Sequence, residues 1–475
     1  MIFLLFVYTS CAVVLPIVLI VYWKLIRPAK RLHDAFRSQG VPGEPFVPII
    51  GQLLEMNRSR ANDQYMDYYE ELVKKHGNIF LHGFGPLVRL IVLEPDMLAD
   101  VLGRSHAQNY SKTALNSNVF KPIIGTHDLL VSEGIEHERA RKMLNPAFHA
   151  INLQSMVSIM VDQTRKVIDE LFASTNSTSV NLQTELNALT LSIIASCAFG
   201  KGFETIGNAR DIVNRAFTVL LQAVEYRTMR MTKVLGKRLN LAVEYRTMRM
   251  VNQIPVLALL PFWQKHIVDE GTRETTEFVE QIIIDRRQNR SKSLCSGSDI
   301  LDLLLSAVDA EGQPFTDQEI KDEALTFVFA GHETTGNLIV WTLYMLMTDE
   351  SVLRACRDEV DRVLSDNIEL TYENMSDLVV CEAILQETLR LYPPAPIFAR
   401  HCLKPKLAHP FCYLPFAAGP RNCIGQNFAL LEAKVMLAML IKRCSFELVP
   451  GQKVTPDVRI TMRPKYGLWA KVTKR

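Results

Sequence analysis

This 475-residue chain is narrowed first by what it lacks. Its nine cysteines, at 11, 197, 295, 356, 381, 402, 412, 423 and 444, are scattered, odd in number and form no C-x-x-C pair. A disulfide framework is excluded, and reduced thiols in a cytosol-facing body are the expectation. In such a body the N-x-S/T sequons at Asn57 and Asn176 are silent. No charge of one sign dominates either. The formal net charge is +2, so nothing global points to nucleic acid or an acidic polymer. No glycine-rich flavin or nicotinamide fingerprint appears. No Pro/Gly/Ser-rich linker divides the chain after residue 52. Length alone suggests about three domains, yet long helical patterns dominate, and 48% hydrophobic residues suffice for one large core.

Residues 2–23 hold no charge at all. A helix of about 20 apolar residues spans a bilayer core. A cleaved leader is the rival reading, but its basic n-region is absent and the apolar run is long for one. Tyr22 and Trp23 suit the interface, and Lys24, Arg27, Lys30 and Arg31 follow at once. Such a flank stays cytoplasmic, so 2–23 is predicted to be a single-pass signal anchor with the body in the cytosol. Residues 24–52 read as a basic, proline-rich hinge whose Val41–Pro48 stretch is stiff and extended. Residues 53–475 form the body.

Along that body, helical periodicity marks 63–76, 150–172, 182–200, 209–231, 272–290, 318–348, 350–364, 376–392 and 424–443. Residues 78–93 and the tail Val458–Val472 alternate as strands do. The fold class is therefore mainly α with small β-sheets. One nonapeptide, Ala-Val-Glu-Tyr-Arg-Thr-Met-Arg-Met, occurs at 223–231 and again at 242–250. A solenoid needs more units, so this is a local duplication or a gene-model artefact.

The most specific motif is Phe416-Ala417-Ala418-Gly419-Pro420-Arg421-Asn422-Cys423-Ile424-Gly425, a single cysteine in a glycine-punctuated loop that opens an apolar helix. Gly419 and Gly425 permit tight turns and close approach to a flat ligand. The positive end of the following helix favours a thiolate at Cys423. A buried loop cysteine is the bland alternative, which the fixed offsets of Phe, Gly, Arg, Cys and Gly overturn. The pattern F-x-x-G-x-R-x-C-x-G resembles the haem-binding signature of the cytochrome P-450 family.

A second motif, Ala330-Gly331-His332-Glu333-Thr334-Thr335, sits inside an otherwise apolar helix. Glycine there costs about 1 kcal/mol relative to alanine, and threonine can bond back to the i−4 carbonyl. Such a violation suggests a groove where O2 and water need room; a polar stripe packed on another helix is the alternative. The motif resembles the family's A-G-x-[DE]-T-[TS] segment. By that resemblance Thr334 hydrogen-bonds the bound dioxygen, Glu333 feeds a proton relay, and His332 is environment rather than a ligand. Ala330 stands where one large branch carries a glutamate that esterifies the haem, so covalent attachment is not expected.

Glu387 and Arg390, at i and i+3, share a helix face and can pair. Their apolar flanks make burial plausible, and they match the family's E-x-x-R structural lock. Haem propionates want arginine forks. Arg421 is the first candidate, Arg400 the second and Arg141 the third. Where the family pattern W-x-x-x-R has tryptophan, this chain has His137. Arg139, Arg141, Lys142 and Lys434 would add a basic face for an acidic electron donor.

The resemblance covers nearly the whole chain. It implies a haem-thiolate monooxygenase holding haem b through Cys423, anchored in the endoplasmic reticulum membrane. It would act on an apolar substrate with electrons from an NADPH-dependent flavoprotein reductase, or from cytochrome b5. One interval breaks the pattern. Cys423 follows Arg390 by only 33 positions, about half the family's usual span, and no P-E-R-F-like segment supplies the lock's second arginine. A lost exon is one explanation. A haem- or lipid-binding relic is the rival, and an oxygen-independent haem-thiolate isomerase or dehydratase is a third reading that Glu333 and Thr334 oppose. The pocket is expected around 105–125, 200–255, 325–335, 393–400 and 460–470.

Overall fold

The computed structural model describes residues 15–16, 18–103, 110–112, 120–121, 123–174, 179–200, 265–290, 292–295, 297–365, 369–397, 399–402 and 414–475. The helix expected over 209–231, both copies of the nonapeptide and the pocket stretch 201–255 lie outside these residues. So does 403–413, within the short interval. The described residues fall into two compact units, one ending at Gly103 and the other running from Tyr110 to Arg475.

Most of the expected anchor, residues 1–14 and Ile17, also lies outside them. Among the described residues no helix is long and apolar enough to cross a membrane. Leu15, Val18, Leu19, Ile20, Tyr22 and Trp23 are exposed on a helical stretch that runs into α1 (Arg27–Ser38). The Arg27 guanidinium lies 3.9 Å over the Trp23 ring, a cation–π contact.

The first unit adds α2 (Leu53–Ala61), α3 (Tyr65–His76), β1 (Ile79–Phe84), β2 (Leu87–Val92) and α4 (Pro95–Leu102). β1 and β2 form an antiparallel hairpin with Leu81 opposite Leu90. Of the hinge expected over 24–52, residues 24–38 are helical; the Val41–Pro48 stretch is free of helix, as its sequence predicts, but it is no mere spacer. Leu81 N donates to Pro42 O at 2.9 Å and Glu44 N to Leu81 O at 3.0 Å, which covers the free edge of β1. A Cβ on Gly43 would sit 2.5 Å from the Leu81 nitrogen, so this close approach requires glycine.

The second unit is mainly helical, with small sheets at its margins. It contains β3 (Tyr110–Lys112), α5 (Gly134–Leu144), α6 (Ala150–Ser174), β4 (Val180–Asn181), α7 (Leu182–Phe199) and α8 (Lys265–Arg287). There follow α9 (Ile300–Ser306), α10 (Asp317–Thr348), α11 (Glu350–Val363), α12 (Val379–Leu391), β5 (Arg400–Cys402) and α13 (Gln426–Arg443). The chain closes with β6 (Cys444–Leu448), β7 (Pro456–Val458), β8 (Met462–Pro464) and β9 (Trp469–Lys474).

α10 is the axis of this unit. Its start is fixed by a capping box, in which Thr316 accepts from Glu319 N and the Glu319 side chain reaches back to Thr316 N. At its end Asp349 accepts from the backbone of Ser351 and Val352 and so starts α11. α7 is apolar nearly all round and packs along α10, while α13 and α6 complete the core. The tail pairs as its alternation predicts. β7 and β8 form a hairpin with Val458 opposite Met462, and β9 lies between β4 and β6.

Candidate functional site

The loop before α13 gets its shape from its own backbone. Cys423 N donates to Phe416 O at 2.9 Å and Asn422 N to Gly419 O at 3.1 Å. Gly419 adopts φ +70 and Ala417 φ +56, so the turn uses left-handed backbone at two points. Gly425 does not fit the expectation of a tight turn. Its φ is −86, and a Cβ there would make ordinary contact, 3.7 Å from the Phe148 ring and 4.0 Å from the Cys423 sulfur. Phe416 and Ile424 pack against the core, and from Leu414 to Gln426 Cys423 is the exposed residue.

Cys423 thus has accessible surface, yet protein atoms crowd its sulfur. That burial pushes its thiol up, outweighing the lowering by the Gly425 N–H and the Arg141 charge. The helix N-terminus does not by itself make the thiolate expected from the sequence. Bond formation to a cation would complete the deprotonation.

α10 shows the complementary feature. From Asp322 to Leu343 it is buried except at Ala330, Gly331 and Thr334, which open one face in mid-helix. Phe148, beside Gly425, packs at a tilt on Phe327, one turn before Ala330, with ring centroids 5.3 Å apart. The cysteine loop and the open face of α10 are therefore joined through one aromatic pair. Thr334 Oγ1 donates to Ala330 O at 2.7 Å, the back-bond the sequence predicts. From α7, Thr190 Oγ1 donates to His332 O at 2.5 Å. Two carbonyls of this turn thus take hydroxyl donors.

Gly331 serves packing rather than an open groove. A Cβ there would lie 2.9 Å from Ile194 Cγ1, because α7 approaches closely at this turn. His332 is buried and pushed down to about 4 by desolvation, which keeps its imidazole neutral. Glu333 is buried too, and points away from the open face. Its Oε1 accepts from Arg463 Nη1 at 2.7 Å.

The predicted arginines converge, with different tasks. Arg421 donates to Ser132 O at 3.3 Å and pairs with Glu133. Arg141 braces the loop: Nη1 donates to Asn422 O at 2.6 Å, Nη2 to Asn422 Oδ1 at 2.8 Å and Nε to Asn145 Oδ1 at 3.0 Å. Arg400 lies on β5 opposite Lys112 of β3 and donates to Ala399 O at 3.0 Å. Lys112 was not singled out by the sequence. Its Nζ donates to Leu129 O and Ser132 O, both at 3.0 Å, and desolvation with the Arg421 charge pushes it down to about 7. Only strand pairing, which no motif encodes, brings Lys112 to Arg400. His137 is buried and pushed down to about 3 by desolvation and by Lys112, Arg421 and Arg141. Glu133 offsets part of this positive charge.

The expected lock forms in part. Arg390 grips Glu387 with two hydrogen bonds of 2.8 and 2.7 Å, but the side chains are 59% and 48% exposed. Burial was the expectation, and it is not met. Solvent screening then leaves such a pair little energetic weight. The basic face is also reduced. Arg139 pairs with Asp309 and Glu319, and Lys434 with Glu382; Lys142 is exposed.

The residues fit a haem by the chemistry of the donor set. An accessible soft thiol suits iron, an opening in a buried helix suits a flat ring, and crowded, desolvated cations suit two carboxylates. No further metal-holding group of three or more His, Cys, Asp or Glu occurs among the described residues.

Comparison with known proteins agrees. The family model described as Cytochrome P450 matches residues 41–407 and 403–469, two stretches that meet in the short interval before Cys423. A cytokinin hydroxylase of Arabidopsis thaliana is 27% identical, covering 94% of this chain and 93% of its own. Cytochrome P450 4X1 of Homo sapiens is 26% identical over 87% of each chain, and cytochrome P450 4F1 of Rattus norvegicus 26% over 95% and 93%. The alignment with the hydroxylase runs over 512 positions, more than this chain has residues, so the relative carries segments absent here.

Proposed function

Because the chain belongs to the cytochrome P450 family and is an oxidoreductase of that type, we propose that it is a membrane-anchored haem-thiolate monooxygenase. It inserts one atom of O2 into an apolar organic substrate, with NADPH-derived electrons delivered by a partner flavoprotein reductase. Residues 2–23 act as a single-pass anchor in the endoplasmic reticulum membrane, 24–52 as the hinge and 53–475 as the cytosol-facing domain. The uncharged run and its basic flank support this placement.

When bound, haem would supply the activation of O2, which a thiolate ligand favours. The protein's own residues do the rest. Cys423 would supply the ligating sulfur from a loop that Phe416 O and Arg141 hold. Lys112, Arg400 and Arg421 would hold the propionates, with His137 and Arg141 beside them. Ala330 gives the ring room, and Phe416 and Gly425 line the sulfur side. The Thr334 hydroxyl, once released from its bond to Ala330 O, would donate to the O2-derived oxygen, and Glu333 would resupply its proton.

The observation that carries this reading is the exposed Cys423 joined, through Phe148 and Phe327, to the stretch where α10 opens. A reduced carbon monoxide difference spectrum tests it. A band at the thiolate-haem position that vanishes in Cys423→Ser is expected; no band in the folded wild-type chain would leave a relic.

A further inference from the structure

Arg463 has no place in any motif of the sequence, yet its guanidinium enters the core of the second unit. Three residues spaced i, i+4, i+8 on α10 meet three consecutive residues at the β7–β8 hairpin. Glu333 Oε1 accepts from Arg463 Nη1 at 2.7 Å, Asn337 Nδ2 donates to Thr461 Oγ1 at 3.1 Å, and Trp341 Nε1 donates to Met462 O at 3.3 Å. This spacing is one helix stripe, so the C-terminal hairpin is zipped to a single face of α10. Met462 N also donates to Pro394 O at 2.9 Å, which ties the hairpin to the segment after α12.

The stripe is not the open face. Successive helix residues are turned by roughly 100°, so Thr334 looks into the opening while Glu333 looks at the hairpin. The Glu333 and Arg463 side chains are 6% and 18% exposed. One carboxylate oxygen of Glu333 is thus clamped by the guanidinium. The other, Oε2, is buried with no hydrogen-bond partner among the described residues. His332 Nδ1, on the same turn, is in the same state. Buried polar atoms of this kind are ordinarily satisfied by water.

We infer that Arg463 is a positioning residue for proton delivery: it holds Glu333 by one oxygen and leaves the other for a buried water that would link it, round the helix turn, to Thr334. The inference rests on the proposed monooxygenase reading. Without the clamp Glu333 would keep its chemistry and lose its aim, since a charge-assisted bond is the strong contact fixing its rotamer.

The test uses the full-length haem-loaded protein with reductase. Arg463→Ala is expected to lower product formed per O2 consumed roughly tenfold, the scale of one lost charge-assisted hydrogen bond, with more peroxide released and a larger solvent isotope effect. Methylguanidinium should restore the coupling, and Arg463→Lys should keep part of it. Trp341→Phe, which removes the neighbouring zipper donor to Met462 O without touching charge, should change none of these. A readout apart from turnover is the double-mutant cycle of Glu333→Gln and Arg463→Ala in the thermal midpoint, where the shifts should be non-additive. Should Arg463→Ala fail to fold, Arg463→Gln takes its place. An unchanged isotope effect and coupling in the Arg463 variants, with both altered in Glu333→Gln, would overturn the inference and leave the function standing. Unaltered coupling in Thr334→Ala and Glu333→Gln alike would overturn the reading of the site itself.

Discussion

Arg141 of α5 holds Asn422 with two donors at once, Nη1 on the carbonyl at 2.6 Å and Nη2 on Oδ1 at 2.8 Å, one residue before Cys423. The guanidinium serves the ligand loop from behind. Hydrogen bonds to charged groups contribute about 1.5–3 kcal/mol each. Arg141→Ala should therefore weaken haem retention roughly tenfold or more, with Arg141→Lys intermediate because a point charge cannot make the fork. Titration of apoprotein with haem, followed by absorbance, measures this.

Lys112 gives a pH signature. Its folded-state value, pushed down to about 7, lies below the ordinary lysine range near 10.5. Between those values the unfolded chain holds a proton that the folded chain has lost, so stability rises with pH across that window. Below pH 7 both states are charged and the penalty of burying the cation is complete. The stability difference between wild type and Lys112→Met, from urea titrations of the apoprotein, should shift in favour of wild type from pH 7 to pH 10. A carboxylate ligand reverses the sign. Haem binding near pH 8 should take up protons in wild type and fewer in Lys112→Met, as read by binding heats in buffers of different ionisation enthalpy.

Cys423 should behave as a protected thiol before haem enters. Burial raises it above the ordinary cysteine value, so alkylation of the apoprotein at neutral pH should be slow and should accelerate as pH rises past 9. Haem should abolish it. Peptide mass mapping distinguishes Cys423 from the buried Cys197, Cys356, Cys381 and Cys444.

The glycines of α10 should separate packing from chemistry. A Cβ at Gly336 would fall on Asn187 Oδ1 and within 3.1 Å of Asn187 Cα, where backbone cannot yield. Overpacking of this kind costs about 1–3 kcal/mol. Gly336→Ala should lower the urea midpoint clearly. Gly331→Ala meets only the Ile194 side chain, and Gly331→Ala with Ile194→Val should recover most of any loss.

Arg390→Ala should leave the thermal midpoint of this chain nearly unchanged, because its partner Glu387 and itself stand in solvent. In a chain given the longer interval of its relatives, with a second arginine covering the pair, the same substitution should become costly. Parallel melting curves of the two chains decide this.

The sequence by itself determined the motifs and the long apolar helices that carry them. Cys423 in its glycine-punctuated loop, the Ala330–Thr335 interruption of an apolar helix and the Glu387–Arg390 spacing are local patterns, legible because each rests on residues close in the chain. The extents of α6, α7, α10, α11 and α13 followed from apolar periodicity, whereas α1, α2, α4, α5 and α9 carried no such signal, and even the Thr334 back-bond was local. What only tertiary structure decided is what each charge faces. Lys112 joins Arg400 by strand pairing across almost three hundred residues, Arg463 clamps Glu333 because the tail folds back onto α10, and Gly331 yields to Ile194 because α7 comes so near. The same distinction turned Arg141 into a brace and left Glu387 and Arg390 in water. Periodicity tells a side chain which face it occupies; desolvation, partner and pairing depend on what the rest of the chain brings to that face.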